Sequence, residues 1–298
     1  MNNRLLAIAA ATIASAIYGI NHTLAKDIMP IHIKPFGFIM LRVLGAAILF
    51  WIISLFYKSE KIQKEDRWRI FGCAFFGMCI NMLAFFKGLS LSTPINSSVI
   101  VTLTPVILLI LSVLLLREKV SWIKISGIFI GLIGAIVLIV FGAQMQTNAP
   151  NIPFGNVLLM VNASAYAVYL ILVKPLTSKY HTITLMKWFF LLAVIINLPI
   201  TFEEFTAVHW TNLPAEVMWI MAFVIVGTTF MTYLLNVYAL KTLKASTIGA
   251  FIYLQPLIAT IFAIIMGADR LTTIRIIAAV LIFTGVYLST LKKKEEKV

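Results

Sequence analysis

Residues 94–134 read PINSSVIVTLTPVILLILSVLLLREKVSWIKISGIFIGLIG, and this stretch decides the fold. It contains two apolar segments, each long enough for a helix of about 20 residues that crosses a membrane. Pro105 lies near the middle of the first segment, and the charged residues 117–119 end it. The second segment carries Gly127, Gly131 and Gly134. The pattern predicts two helices that cross a bilayer one after the other.

The same pattern returns 151 residues later in the chain. The matched pairs are Leu103 with Leu254, Pro105 with Pro256, Glu118 with Asp269, and Gly134 with Gly285. A period of about half the chain indicates one fold built twice. We assign the first repeat to residues 4–142, the second to residues 153–291, and a basic cytoplasmic tail to residues 292–298.

The composition places the chain in a membrane. It is 61% hydrophobic with a mean hydropathy of +1.00, whereas soluble domains are about 45–50% apolar. The sequence does not alternate with the period of two that a barrel strand requires. We therefore predict an all-α membrane protein with ten transmembrane helices. Their expected ranges are 4–26, 35–57, 68–87, 94–116, 121–142, 153–174, 183–202, 215–240, 245–267 and 272–291.

The distribution of Lys and Arg predicts the orientation. The net charge is +13, but the basic residues flank apolar segments, where they set topology and do not indicate a nucleic-acid partner. With both termini cytoplasmic, 18 Lys and Arg lie on the inner side and five on the outer side. We therefore predict a multi-pass protein of the plasma membrane, the bacterial inner membrane, with both termini inside.

The number of spans in each repeat decides how the two repeats are related. Five is an odd number, so the second repeat crosses the membrane in the opposite sense to the first. Glu118 is then expected on the inner side and Asp269 on the outer side. Inverted repeats of this kind are typical of secondary transporters, with a substrate site near the bilayer midplane between the two repeats.

These features resemble a known family. The two five-helix repeats, the proline followed by an acidic residue at the end of the fourth helix of each, and the glycine-rich last helix are similar to EamA-type exporters of the drug/metabolite transporter superfamily. The first-helix pattern of that family appears as Tyr18-Gly19, with Tyr where Trp is usual, and its second-helix arginine as Arg42. Asp269 stands where Glu is usual. The resemblance implies export or exchange of small polar metabolites such as amino acids.

Polar side chains inside the spans are the candidates for binding a substrate, because they are costly in lipid unless they face a cavity or another helix. They are Asn21, His22, Arg42, Asn81, Tyr166, Tyr169, Thr229, Tyr233, Asn236 and Gln255. Those on the sixth and eighth helices share one helical face each, which suggests cavity walls, although hydrogen bonding between helices explains such stripes almost as well. Arg42 could attract a carboxylate, and His22 could respond to pH.

Pro105 and Pro256 are predicted to mark moving elements. Each removes a backbone hydrogen bond in the middle of a helix and kinks it. The carbonyl groups freed there could face the cavity, beside Thr104 and Gln255. A static kink that only permits packing is the alternative.

Other classes of function find little support in the sequence. We find no grouping of nucleophile, acid and base and no set of metal ligands, so we expect no metal, no cofactor and no enzyme activity. The middle of the spans holds no Asp or Glu, which favours substrate-driven export or exchange over a carboxylate proton relay. Nucleobase-like, cofactor-like or toxic organic compounds are alternative substrates. A membrane-embedded enzyme and a non-transporting scaffold are distant alternatives, and a homo-oligomer is left open.

Overall fold

The computed structural model describes residues 3–29, 31–57, 59–92, 94–142, 150–265 and 272–291. Within these ranges ten helical segments are long and apolar enough to cross a membrane, which confirms the predicted fold class. Exposed apolar side chains such as Ile133 and Phe283 cover their outer faces, as expected for helices surrounded by lipid. We number the segments spans 1 to 10. Their bounds are Asn3–Ile28, Pro35–Ser54, Lys64–Leu91, 94–116, Trp122–Gly142, Ile152–Leu176, Thr182–Thr206, Ala215–Thr242, 245–265 and Thr273–Thr290.

Spans 4 and 9 are interrupted at equivalent positions. Span 4 consists of the helices Pro94–Val101 and Thr104–Leu116. Span 9 consists of Ala245–Ala250, a 3-10 turn at Phe251–Tyr253, and Leu254–Ile265. Pro105 and Pro256 directly follow the two interruptions, where their missing N–H groups leave carbonyls without a helical partner. The helices are thus broken beside the two prolines, and the movement of these breaks during transport stays a prediction.

Spans 3 and 8 each contain a π-helical segment, again at equivalent positions. The segments are Phe75–Ile80 in span 3 and Val224–Met231 in span 8. A π-helical turn widens the backbone and leaves carbonyl groups without their usual helical partner, and such turns occur frequently at functional sites. The two segments give each half of the protein one irregular helix beside the interface with the other half.

The packing of the helices follows the same pattern in the two halves of the protein. Spans 5 and 10 pack against each other, and so do spans 2 and 7. Span 1 packs on spans 8 and 9, while span 6 packs on spans 3 and 4. Replacing each span by its counterpart, five numbers later or earlier, reproduces the same set of pairs. The fold is therefore one five-helix unit used twice.

Glycines bring spans 5 and 10 into backbone contact. A Cβ atom added at Gly285 would lie 2.4 Å from the amide nitrogen of Gly131 and 2.6 Å from the carbonyl oxygen of Gly127. Small residues permit this close approach of two membrane helices. These glycines therefore serve the close packing of spans 5 and 10.

Glu118 connects the end of span 4 to the start of span 9. Arg117 ends span 4 with a positive φ of 52°, which turns the chain back so that the N–H of Glu118 donates to Ser112 O. The Glu118 carboxylate then accepts the N–H of Ala245 at 2.9 Å and the hydroxyl of Ser246 at 2.5 Å. The residue predicted as an acidic helix end is thus also the N-terminal cap of another helix.

This contact fixes the relative direction of the two repeats. The end of span 4 and the start of span 9 lie at the same face of the bundle. Span 9 then runs from residue 245 to residue 265, which is about 30 Å at 1.5 Å per residue. The end of span 9 therefore lies at the face opposite to Glu118, as an inverted repeat requires. Asp269, the counterpart of Glu118, lies outside the described residues.

Spans 2 and 7 are joined by a carboxylate at each end. Near the end of span 7, Glu204 accepts the N–H groups of Phe36 and Gly37, at 2.6 and 3.1 Å, at the start of span 2. Beyond span 2, Glu60 accepts the N–H of His181 at 3.0 Å and the hydroxyl of Thr184. Both contacts place negative charge at a helix N-terminus, where it is stabilised.

The carboxylate contact of Glu60 stabilises the protein at neutral pH. Burial alone would raise the pKa of Glu60, but the hydrogen bonds from Thr184 and His181 outweigh it and hold the pKa below its ordinary value. The stability contributed by this carboxylate is therefore present above its ordinary pKa and is lost as the pH falls through the lowered value. We infer that spans 2 and 7 form a braced pair near neutral pH.

Candidate substrate-binding site

Arg42 lies in the membrane interior between the two halves of the protein. Its side chain is 7% exposed, and its Nε donates to the hydroxyl oxygen of Thr229 at 3.0 Å. The Thr229 hydroxyl in turn donates to Val224 O at 2.9 Å, five residues back in the π-helical segment of span 8. The irregular helix thus orients the hydroxyl so that its oxygen accepts from the guanidinium group.

Tyr18 brings span 1 to the same place. Its side chain is half-buried and approaches Arg42, Thr232 and Tyr233. The next residue, Gly19, packs so closely on span 9 that an added Cβ would lie 2.8 Å from Gln255 O. The glycine therefore lets span 1 approach span 9 and places Tyr18 beside the arginine. Our selection of site residues missed Tyr18, although the Tyr18-Gly19 pattern was the signal that could have identified it.

Three further tyrosines, Tyr166, Tyr169 and Tyr233, form a cluster that approaches Arg42 through Tyr233, and we call it the tyrosine cluster. The ring centroids of Tyr166 and Tyr169 are 5.9 Å apart, and those of Tyr169 and Tyr233 are 6.0 Å apart. The hydroxyl of Tyr233 donates to Gly77 O, in the π-helical segment of span 3, at 3.1 Å. Spans 6 and 8, which the sequence predicted as cavity walls, thus meet through their tyrosine side chains.

Within the tyrosine cluster, the hydroxyl group of Tyr169 has an unusual environment. Its side chain is 1% exposed, and among the described residues its oxygen has no hydrogen-bond partner. A buried hydroxyl without a partner costs free energy, so such groups call for a physical explanation. The Tyr169 ring lies next to the rings of Tyr166 and Tyr233. Tyr233 lies near Arg42, and Tyr166 lies near Tyr18, which itself approaches Arg42 and Thr232. A bound polar molecule would provide the missing partner.

Two pairs of polar residues lie at the edges of this cluster. Thr228 donates to the Asn21 side-chain oxygen at 3.0 Å, which links spans 8 and 1. The side chains of Asn81 and Asn162 each donate to the backbone carbonyl of the other residue, at 3.2 and 2.8 Å, and so link spans 3 and 6. All three bonds have the form of hydrogen bonds between membrane helices. A role for Asn21 or Asn81 in binding a substrate stays a prediction.

The remaining candidates are less closely associated with Arg42. Asn236 is half-buried on span 8, one turn beyond Tyr233, and Gln255 is half-buried beside the interruption of span 9. The side chain of His22 lies outside the described residues. Lys187, a second cation inside a span, is directed elsewhere, because its ammonium group lies 4.9 Å from the ring centroid of Trp51 and 5.8 Å from that of Trp188.

The charge on Arg42 has no acidic partner in the part of the protein that the structure describes. The ion pair found there joins Lys179, just beyond the end of span 6, to Asp66, at the start of span 3, at 3.0 Å. The described residues also contain no group of three His, Cys, Asp or Glu side chains that could hold a metal ion. A guanidinium group has five N–H donors, and its planar end suits a carboxylate. The arrangement can therefore receive a small molecule that carries a carboxylate.

Comparison with known proteins gives a consistent result. The model of the EamA-like transporter family matches residues 5–140 and 153–291. An uncharacterized transporter of Archaeoglobus fulgidus is 28% identical over 262 residues, which covers 88% of this chain and 90% of that protein. The uncharacterized transporter YxxF of Bacillus subtilis is 27% identical over 274 residues, covering 88% and 83% of the two chains. A solved crystal structure with 18% sequence identity shares the fold, with a TM-score of 0.79 over 95% of this chain and 96% of that one.

Proposed function

The chain belongs to the EamA-like transporter family, and from this premise we propose that it is a secondary transporter for small polar metabolites that carry a carboxylate. Amino acids and related compounds are the substrates that fit best. The direction that we propose is export or exchange across the plasma membrane, with both termini in the cytoplasm.

The observation that carries the proposal is the buried Arg42, which has no acidic partner among the described residues. A charged side chain in the middle of a bilayer protein is costly and is retained where it faces a partner or a pathway. A carboxylate of the substrate would offset this cost through charge-assisted, bidentate hydrogen bonds. An organic cation would instead meet a like charge, which argues against cationic drugs as substrates.

The surrounding tyrosines support a zwitterionic substrate. The faces of Tyr18, Tyr166 and Tyr169 carry negative quadrupole charge, and such faces attract an ammonium group by about 0.5–2 kcal/mol. The Tyr169 hydroxyl offers a hydrogen bond as well. An α-amino acid presents a carboxylate and an ammonium group a few ångströms apart, which matches an arginine beside a group of aromatic rings.

The architecture supports alternating access. The cluster lies between the two repeats, and spans 3, 4, 8 and 9 around it contain irregular or broken segments. Broken helices at the interface of inverted repeats are the usual elements of a transport site, and rocking of one repeat against the other exposes the site to each side in turn. Pro105 and Pro256, next to the two breaks, are the proposed hinges.

The proposal can be tested by exchange in proteoliposomes. Vesicles with purified protein are loaded with unlabelled amino acids, and the uptake of labelled amino acids and of their decarboxylated amines is measured. The wild-type protein should exchange compounds with a carboxylate and not the matching amines. Arg42→Gln should reduce this exchange at least about thirty-fold, the value of about 2 kcal/mol for one partner of a buried charge pair.

Lys187→Gln is the matched control, because it removes another buried cation within a span without touching the tyrosine cluster. Its exchange should remain within about three-fold of wild type, after correction for protein incorporated into the vesicles. Equal transport of acids and amines, or equal effects of the two substitutions, would contradict the proposed role of Arg42.

A further inference from the structure

A cavity of about 340 Å³ opens at the face where spans 4, 6 and 8 end and span 9 begins. We call it the lysine cavity, and it is lined by Leu116, Glu118, Lys174, Pro175, Thr177, Ser178, Lys241 and Lys244. Three of these side chains carry positive charge, and one carries negative charge. The cavity lies outside the site described above, and its role has to follow from its own geometry.

The single carboxylate of the lysine cavity is already occupied. Both oxygens of Glu118 accept hydrogen bonds from the start of span 9, one from Ala245 N and one from the Ser246 hydroxyl. Lys244 donates to Lys119 O at 2.7 Å, and Lys174 donates to Leu240 O and, at 2.8 Å, to Leu243 O. These partners are neutral carbonyl groups, so the positive charge of the lysines is not cancelled by them.

Lys241 contributes an exposed positive charge. It is exposed in the last turn of span 8, and among the described contacts it makes no hydrogen bond. A concave surface lined by one sign of charge raises the local concentration of ions of the opposite sign. The lysine cavity is therefore suited to collect anions at this face of the protein.

The lysine cavity is aligned with the tyrosine cluster by a repeated spacing. On span 6, Lys174 follows Tyr166 by eight residues, and on span 8, Lys241 follows Tyr233 by the same eight residues. Eight residues of helix correspond to about 12 Å along the axis. Spans 6 and 8 both cross in the same direction, so each lysine lies about two turns nearer to the same face than the tyrosine on its own helix.

We propose that the lysine cavity is the mouth of the transport pathway at this face and a low-affinity binding site for the carboxylate of the substrate. This inference rests on the proposed function, since it supplies a first site from which a carboxylate proceeds to Arg42. The shared chemistry of the ligand is a compact anionic group. Such a group could also come from an acidic phospholipid, and the test separates the two sources.

The experiment measures the charge of the cavity directly, without transport. In a background with the buried Cys73 and Cys79 replaced by alanine, Ser178→Cys places one thiol in the lysine cavity and Ser59→Cys places one on an exposed loop. Both proteins are reconstituted in phosphatidylcholine vesicles. Each thiol is reacted with an anionic and with a cationic methanethiosulfonate reagent, and the ratio of the two rates is determined.

At about 20 mM salt the anionic-to-cationic ratio should be about ten-fold higher at position 178 than at position 59, and the difference should shrink at high salt. Adding Lys241→Glu should lower the ratio at position 178 about five-fold. The matched control Lys64→Glu reverses an exposed charge at the start of span 3. It should leave the ratio at position 178 within about two-fold of its value without this substitution. Equal ratios at the two thiols, or equal effects of the two reversals, would overturn the proposal.

Occupancy is tested by protection of the thiol at position 178. Sodium propionate should slow its reaction with the anionic reagent more than sodium chloride at the same ionic strength. If acidic phospholipid in the vesicles slows the reaction and propionate does not, the occupant is a lipid head group and the proposed pathway mouth is wrong. Because labelling needs no transport, a positive result without exchange of any carboxylate would refute the proposed function alone.

Discussion

At the scale of single residues, the site is defined by polar groups that lack a full set of partners. The buried Arg42 donates to the neutral hydroxyl of Thr229, and the Tyr169 hydroxyl has no partner among the described residues. Buried polar groups that lack a partner cost stability. Their cost is explained if a substrate supplies the missing contacts, and this explanation predicts opposite effects on stability and on binding.

Tyr169→Phe tests this trade-off. Removing an unpaired buried hydroxyl should leave the free energy of unfolding unchanged or raise it by up to about 1 kcal/mol. If the hydroxyl contacts the substrate, the half-saturating concentration for exchange should rise about five- to ten-fold. Thermal unfolding in detergent and the concentration dependence of exchange give the two quantities.

Tyr253→Phe is the control for this prediction. Tyr253 also has a buried hydroxyl without a partner among the described residues, but its ring packs against Gly131 of span 5. It should show the same change in stability and no change in half-saturation. A loss of stability in Tyr169→Phe would show that the Tyr169 hydroxyl has a structural partner instead. A shift in half-saturation in both variants would show that the effect does not come from a contact of the Tyr169 hydroxyl with the substrate.

The sequence predicted some of these residues and not others for physical reasons. Arg42 is evident in the sequence because one charge interrupts an apolar run. Tyr18 and the carbonyl of Gly77 were not predicted, because their importance depends on contacts across the bundle. A tyrosine near the middle of a helix is equally consistent with a packing role. The acceptor role of Gly77 arises from a π-helical turn, which the helix propensities of its residues do not predict.

At the scale of helices, the regularity of spans 5 and 10 contrasts with the irregularity of spans 3, 4, 8 and 9. The sequence predicted kinks at Pro105 and Pro256, since proline acts through the local backbone. It did not predict that Glu118 caps span 9, because this contact joins residues 127 positions apart. We infer that spans 5 and 10 form a rigid pair beside the helices that are proposed to move.

Gly285→Ala tests the contact between spans 5 and 10. The new methyl group would meet backbone atoms of Gly131 and Gly127 at 2.4–2.6 Å, and backbone atoms cannot rotate away as a side chain can. The helices must separate, so the free energy of unfolding should fall by about 1–3 kcal/mol. Thermal unfolding of the purified protein in detergent measures the change.

Gly72→Ala is the control substitution. A methyl group at Gly72 would meet only the Cδ1 atom at the tip of Leu172, at 3.1 Å, which a small rotation relieves. Its effect on the free energy of unfolding should stay within about 0.5 kcal/mol, partly because alanine favours the helix over glycine. Equal effects of the two substitutions would show that spans 5 and 10 do not pack as closely as described.

At the scale of the whole molecule, the inverted arrangement connects the fold to transport. Each carboxylate contact between helix ends joins elements of different halves, namely Glu118 with span 9, Glu60 with span 7 and Glu204 with span 2. Glu60 and Glu204 hold spans 2 and 7 together at both faces. Glu118 holds spans 4 and 9 together at the face of the lysine cavity.

Accessibility of single cysteines to a membrane-impermeant maleimide tests the arrangement and its orientation together. Lys119 is exposed just beyond the end of span 4, and Thr272 is exposed just before the start of span 10. Because Glu118 caps the start of span 9, positions 119 and 272 are expected at opposite faces of the membrane. Position 64 is expected at the same face as position 119, since residues 174–181 contact both the start of span 3 and the end of span 8.

The excess of Lys and Arg then sets which face is which. With 18 of these residues on the inner side, Thr272→Cys should react in intact cells, whereas Lys119→Cys and Lys64→Cys should react only after permeabilisation. The reversed pattern would keep the fold and reverse the proposed orientation. Labelling of positions 119 and 272 from the same side would be incompatible with repeats that cross in opposite senses. In that case the two halves could not enclose a site that opens to each face in turn, and Arg42 would lose its proposed role.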